Sequence, residues 1–164
     1  MPVVIERPIT AKPPLSESAA GIVPELESLL REASRGLLAF AAKLMVLEGS
    51  ASAAQPGHVR TELPELLAEL TAYCDDHFRQ EEAILRSAGL AIFDRLWEAH
   101  TSAHAELMRG FSAAADDVVQ DSAPQLVGRV VTLIEQFWSV HHIEHDRLAC
   151  DVLRRHLSAP TFTA

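Results

Sequence analysis

Between residues 65 and 123, and again between 125 and 159, the chain contains no proline, and those long uninterrupted stretches constrain its fold more than any other feature. They are rich in Ala, Leu, Glu and Arg, which enter helices at little cost, and nowhere do several β-branched residues alternate with polar ones as a strand requires. An all-α protein is expected. Apolar residues recur at the helical period in four segments. The first, 22–48, carries Leu26, Leu30, Ala33, Leu37, Phe40, Leu44 and Leu47 on one stripe and is expected to stop at Gly49 and Ser50. The second, 64–87, is opened by Pro64, turns Leu66, Leu67, Leu70, Tyr73, Cys74, Ile84 and Leu85 inward, and is closed by Gly89. The third, 92–116, presents Phe93, Leu96, Trp97, Ala103, Leu107 and Phe111. The fourth, 122–157, begins with Ser122 and Gln125 as a capping box and continues through Val127, Val130, Ile134, Phe137, Leu148 and Val152. A very short link between the second and third helices makes an up-down-up-down four-helix bundle over 22–157 the economical architecture, with an extended arm over 1–21 and a tail over 158–164.

The chain has 164 residues, about one domain's worth. Its 14 Lys and Arg against 23 Asp and Glu give a net charge of −9, which repels phosphate backbones and anionic bilayers, so neither nucleic acid nor a membrane is an expected partner. Two cysteines, Cys74 and Cys150, are too few for a disulfide framework, and the opening Met1–Pro8 lacks the apolar core of a signal peptide. A cytoplasmic protein is expected.

Histidine is the informative residue: there are eight against one tyrosine. Several interrupt apolar stripes, where a buried ionisable group costs several kcal/mol unless something satisfies it. His77 and Glu81 do so in the second helix, His100 and His104 in the third, and His141 in the fourth, with His142, Glu144, His145 and Asp146 alongside. Residues four apart share a helix face, so each of the first two pairs aims both its side chains at one point. His77 lies ten residues before the end of its helix, and ten residues into the third falls midway between His100 and His104, so antiparallel helices place the pairs level. One inward histidine is more often a satisfied core residue than a ligand. Three such elements at one height are hard to satisfy by hydrogen bonds alone, and imidazole with carboxylate suits iron, manganese or zinc. His58, in the 55–57 linker region, and His156, near the C-terminus, are expected in solvent, and Glu82, about 100° around the helix from Glu81, is expected to be surface charge.

The run His77-Phe78-Arg79-Gln80-Glu81-Glu82, then His100-x-x-x-His104, then His141-x-x-x-x-Asp146, in this order on the second, third and fourth helices, resembles the hemerythrin and bacteriohemerythrin domain over residues from about 22 to 157. The resemblance implies a four-helix bundle holding two non-heme iron ions that bind O2 or a similar small diatomic ligand. By that likeness His100, His104 and His141 hold one iron, His77 holds the other, and Glu81 and Asp146 bridge them. The family also places a histidine on the first helix, where this chain has none, and counting from the helix ends puts the vacant position near Ser34. Glu27, two turns away, reaches it only with adjustment. In the fourth helix, regular geometry pairs His141 with His145, four residues on, whereas the resemblance pairs it with Asp146, which requires a π-type bulge. Asp146 is the expected ligand and His145 the further candidate. An apolar setting of Phe78, Trp97, Leu107, Phe137 and Trp138 with few acid or base groups favours an O2 carrier or sensor over an enzyme. An enzyme acting on peroxide, nitric oxide or O2 at a ligand-poor second iron, and a mononuclear or metal-free regulatory bundle, remain the alternatives.

Overall fold

The computed structural model describes residues 19–52, 56–119 and 122–158, and it is an all-α bundle. Helix α1 spans Ala19–Ser52, α2 Pro56–Ser87 and α3 Asp94–Asp116. The last rod is continuous: α4 (Ala123–Gln136), a π-helical segment (Phe137–Asp146) and α5 (Arg147–Ser158) follow one another without a break. Helix α1 packs along α2, α4 and α5, α2 along α3, and α3 along α4 and the π-helical segment, the neighbour pattern of four rods in up-down-up-down order.

Local chemistry explains the ends. Gly89 adopts φ 85°, a left-handed turn that glycine enters without steric cost, and a short 3₁₀ turn over Leu90–Ile92 leads into α3. Ser122 and Gln125 form the expected capping box, with the Gln125 Oε1 accepting from the Ser122 N–H at 3.2 Å.

Several boundaries differ from expectation. Helix α1 runs three residues earlier than 22 and passes through Gly49, since a helical glycine costs only about 1 kcal/mol against alanine and does not by itself stop a helix. Helix α2 starts at Pro56 rather than Pro64, so the region read as a linker is helical; the burial of Leu63, 2% exposed, offsets the hydrogen bond Pro64 cannot donate. Helix α3 begins at Asp94 because residues 90–92 are taken by the 3₁₀ turn. The expected arm and tail lie outside the described residues apart from residues 19–21 and Ser158, which are helical.

The core falls into two apolar clusters. One gathers Leu37, Leu44, Leu67, Leu70, Phe78, Leu107, Phe111, Val130 and Phe137 among others; the second gathers Val23, Leu26, Leu30, Leu85, Leu90, Ala149, Cys150 and Leu153. Along every rod the two are separated at the same height. Leu30 and Leu37 flank residues 33 and 34 on α1, Phe78 and Leu85 flank Glu81 on α2, and Phe137 and Ala149 flank His141 and Asp146 on the last rod. Just beyond this level α1 and α2 approach closely: a Cβ on Gly36 would collide with the Tyr73 ring, whose hydroxyl donates to the Glu32 carbonyl at 3.1 Å. Leu148, expected inward, is 46% exposed, because the wider π turn shifts the register so that Ala149, Cys150 and Leu153 face the core instead.

Candidate metal centre

The layer between the two clusters is polar. Its members are His77 and Glu81 from α2, His100 and His104 from α3, and His141 and Asp146 from the π-helical segment, and none is more than 6% exposed. Spacing explains the first two pairs, since four residues bring side chains onto one face. The third pair depends on the backbone. On a regular α-helix residues five apart point about 140° away from each other, but here the Arg147 N–H bonds the His142 carbonyl, five residues back. That wider turn brings His141 Nε2 to 2.9 Å from Asp146 Oδ1.

Glu81 sits centrally. Its Oε1 lies 3.5 Å from His100 Nε2, and its Oε2 lies 3.4 Å from His104 Nε2 and 3.6 Å from His77 Nε2. The Nε2 atoms of His104 and His141 are 2.9 Å apart. One donor atom each from Glu81, His100, His104 and His141 lies within 4.8 Å of all the others. For ligands about 2.1 Å from an ion, neighbouring donors stand about 3.0 Å apart in an octahedron and about 3.4 Å in a tetrahedron, and the closest separations here, 2.9 to 3.6 Å, lie near those values.

Hydrogen bonding leaves this layer incomplete. Among the described residues, His77 Nε2, both Glu81 oxygens, His100 Nδ1 and Nε2, His141 Nδ1 and Asp146 Oδ1 are buried without a hydrogen-bond partner. Each such atom costs about 1–3 kcal/mol unless something fills its lone pair. A cation among them would fill several at once, so the residues fit a metal. Their protonation fits too. Burial pushes His77 down to about 4 and His100 down to about 3, and it lowers His104 despite the neighbouring Glu82, so these imidazoles are neutral at pH 7 and offer lone pairs. Glu81 is raised well above the usual carboxylate range by burial and by Asp146 beside it. Burial also acts to raise Asp146, but its contacts with His141 and His142 prevail and hold it low. Two carboxylates in one dry layer cannot both ionise freely without a cation.

Glu82 is not the surface charge expected from its position. Its Oε1 accepts from His104 Nδ1 at 2.9 Å, which assigns the proton to Nδ1 and turns the Nε2 lone pair toward Glu81 and His141. The helical offset from Glu81 carries Glu82 toward α3 rather than into water. Aromatic rings fix two of the imidazoles: Phe78 stacks on His104 at 4.0 Å between centroids, and Phe137 lies against His141 at 5.2 Å.

The α1 side differs. Ser34 stands at the height of the layer, and its Oγ donates to the Leu30 carbonyl at 2.7 Å. Glu27 pairs with Arg154 on α5 and so contributes nothing to the layer. Ser34 and His142 line an open cavity of about 360 Å³ between α1 and the last rod. His142, which sequence reasoning placed only alongside the site, bonds Asp146 Oδ2 through Nδ1 at 3.1 Å. His145 is half-buried in a separate groove of about 260 Å³ lined by α3, α4 and the π-helical segment; its ring is 5.2 Å from that of His141, outside the group of converging atoms. Burial lowers the His145 imidazole as well. His156 is half-buried against Phe93, ring centroids 5.7 Å apart, and the His58 side chain lies outside the described residues. Cys74 and Cys150 are free and buried, their thiols pushed up to about 12 and about 11 by burial. No helix among the described residues is long and apolar enough to cross a membrane.

Comparison with family models gives a match over residues 25–158 to the hemerythrin HHE cation binding domain. Comparison with curated proteins and with solved structures gave no match.

Proposed function

Because the chain belongs to the hemerythrin HHE cation-binding family, we propose that its buried layer holds two non-heme iron ions and binds O2 reversibly, as a carrier or sensor. The observation that carries this reading is the set of buried, unpartnered nitrogen and oxygen atoms converging from three rods. In this reading His100, His104 and His141 would hold the first ion and His77 the second, with Glu81, whose oxygens face both sets of imidazoles, and Asp146, beside His141, as the carboxylates the two ions would share. Reduced iron supplies the electrons that hold O2. The chain supplies the rest. Glu82 fixes the His104 tautomer, Phe78 and Phe137 orient two imidazoles, and the apolar clusters on either side keep water out. Few acid or base groups lie at the layer beyond those that would hold metal, which favours binding over turnover.

The open cavity on the α1 side supports a second reading, an enzyme that turns over peroxide, nitric oxide or O2. One experiment separates the two. The protein is loaded anaerobically with Fe(II), and its absorption spectrum is followed as O2 is admitted and then removed. A spectral change that forms and reverses over several cycles supports binding; steady consumption of O2, peroxide or nitric oxide supports the enzyme; a protein that retains no iron contradicts both.

A further inference from the structure

The first helix lacks the imidazole that would complete a second ion's surroundings, and the last rod holds one in the facing wall. We propose that His142, through Nδ1, is a ligand of the second ion and takes the place of the imidazole absent from α1. The inference rests on the two-ion reading above and names a residue that the three-part motif does not contain.

Three observations carry it. Asp146 divides its oxygens between neighbouring imidazoles: Oδ1 is 2.9 Å from His141 Nε2, and Oδ2 is 3.1 Å from His142 Nδ1. A carboxylate bridging two ions directs one oxygen to each. Oδ1 faces His141, which converges with His100 and His104, so Oδ2 marks the side of the other ion, and His142 Nδ1 stands at the spacing of a neighbouring donor on that ion. Glu81 repeats the division less strictly, with Oε1 toward His100 and Oε2 shared between His77 and His104.

The second observation is the backbone. A regular helix would turn adjacent residues about 100° apart and send His142 away when His141 faces the layer. Here His142 meets Asp146 at the ordinary four-residue spacing, and the π-helical segment brings His141, five residues before it, to the same carboxylate.

The third is what else the wall offers. His142 and Ser34 line the same cavity from opposite sides. Among its other donors, Glu27 and Asp151 both pair with Arg154, the Ser34 hydroxyl is spent on the Leu30 carbonyl, and Cys150 packs into the apolar cluster with Leu26 and Leu153. His142, one-fifth exposed and already against Asp146, is the imidazole this wall presents on the side where α1 supplies none.

A merely positioning role is the competitor, since His142 Nδ1 could donate to Asp146 and do nothing more. Iron per chain, measured by elemental analysis after anaerobic Fe(II) loading and gel filtration, separates the two in the wild type, His142→Asn, His142→Ala and the double variant Ser34→His/His142→Ala. Asparagine keeps a donor for Asp146 but is a poor ligand. The proposal expects two irons in the wild type, one in each single variant, and two again in the double variant, with helical circular dichroism showing that all are folded. His142→Asn retaining two irons overturns the proposal and leaves the two-ion reading standing. A double variant that stays at one iron contradicts the placement of this ligand opposite Ser34. A wild type holding one iron or none removes the two-ion reading and the proposal with it.

Discussion

On the α3 side of the buried layer three imidazoles, none more than 3% exposed, converge on Glu81, two of them held by Glu82 and two aromatic rings; on the α1 side Ser34 supplies no imidazole, and an open cavity lies between α1 and the last rod. The closed side is over-determined. His104 and His141 there each have a packing partner or a hydrogen bond that fixes their direction before any ion arrives, whereas Ser34 on the α1 side offers no comparable donor. Pre-orientation lowers the cost of binding, so the closed side should take metal first and hold it longer.

Removing His104 should have the largest effect. His104→Ala deletes a donor from the closed side and strands the others, so metal affinity should fall more than the hundredfold typical of losing a supporting group. Competition with a chelator measures it. The melting temperature should drop further in the metal-loaded protein than in the metal-free one; equal drops would make His104 a packing residue.

Acid comes next. In metal-free protein His77 and His100 titrate near about 4 and about 3, below the ordinary value of 6.5, so the unfolded chain binds more protons than the folded one between those limits. Their contribution to stability is therefore present above pH 6.5 and lost as pH falls toward 3, up to roughly 3 kcal/mol for His77 and roughly 5 kcal/mol for His100. Urea unfolding at a series of pH values should show this loss in the metal-free protein and less of it with metal bound. A pH-independent midpoint between 6.5 and 4 would mean the imidazoles are already charged or solvated.

Glu82→Gln should cost about 10- to 100-fold in affinity at the closed side, the effect of losing a group that orients a ligand. No change would detach Glu82 from the centre. Ser34→Ala should do least. Its hydroxyl serves the Leu30 carbonyl, so stability should stay within about 0.5 kcal/mol and iron content should not move. Lost iron would place the hydroxyl on the metal and undo the contrast between the sides.

Much of this was legible in the residues. The polar interruptions of the apolar stripes located five of the six side chains of the layer, because burying histidine and carboxylate is costly enough to be informative wherever it occurs, while Asp146 came from the family resemblance, regular helix spacing having favoured His145. Counting from helix ends put the vacant position near Ser34, although the observed ends, Ser52 and Pro56, move that count by about one turn, because the two boundary errors cancel only in part. What stayed hidden depends on geometry that spacing does not encode. Local pattern weighed Pro64 as a start signal, while the burial of Leu63 that carries the helix through it is a tertiary effect. Glu82 looked like surface charge because its role is set by a neighbouring helix. His142 was passed over because a single residue's step looks like a turn to solvent until the π-helical backbone is known. A histidine directly following a ligand histidine, in a rod already required to bulge, was the signal that could have raised it.

Anaerobic calorimetric titration of metal-free protein with Fe(II) tests the central claim most directly, because it reads the number of ions and the inequality of their sites together. Two binding events per chain are expected, the tighter one weakened by Glu82→Gln and the weaker one removed by His142→Asn. Two equal sites, a single site, or no uptake of Fe(II) would contradict the account.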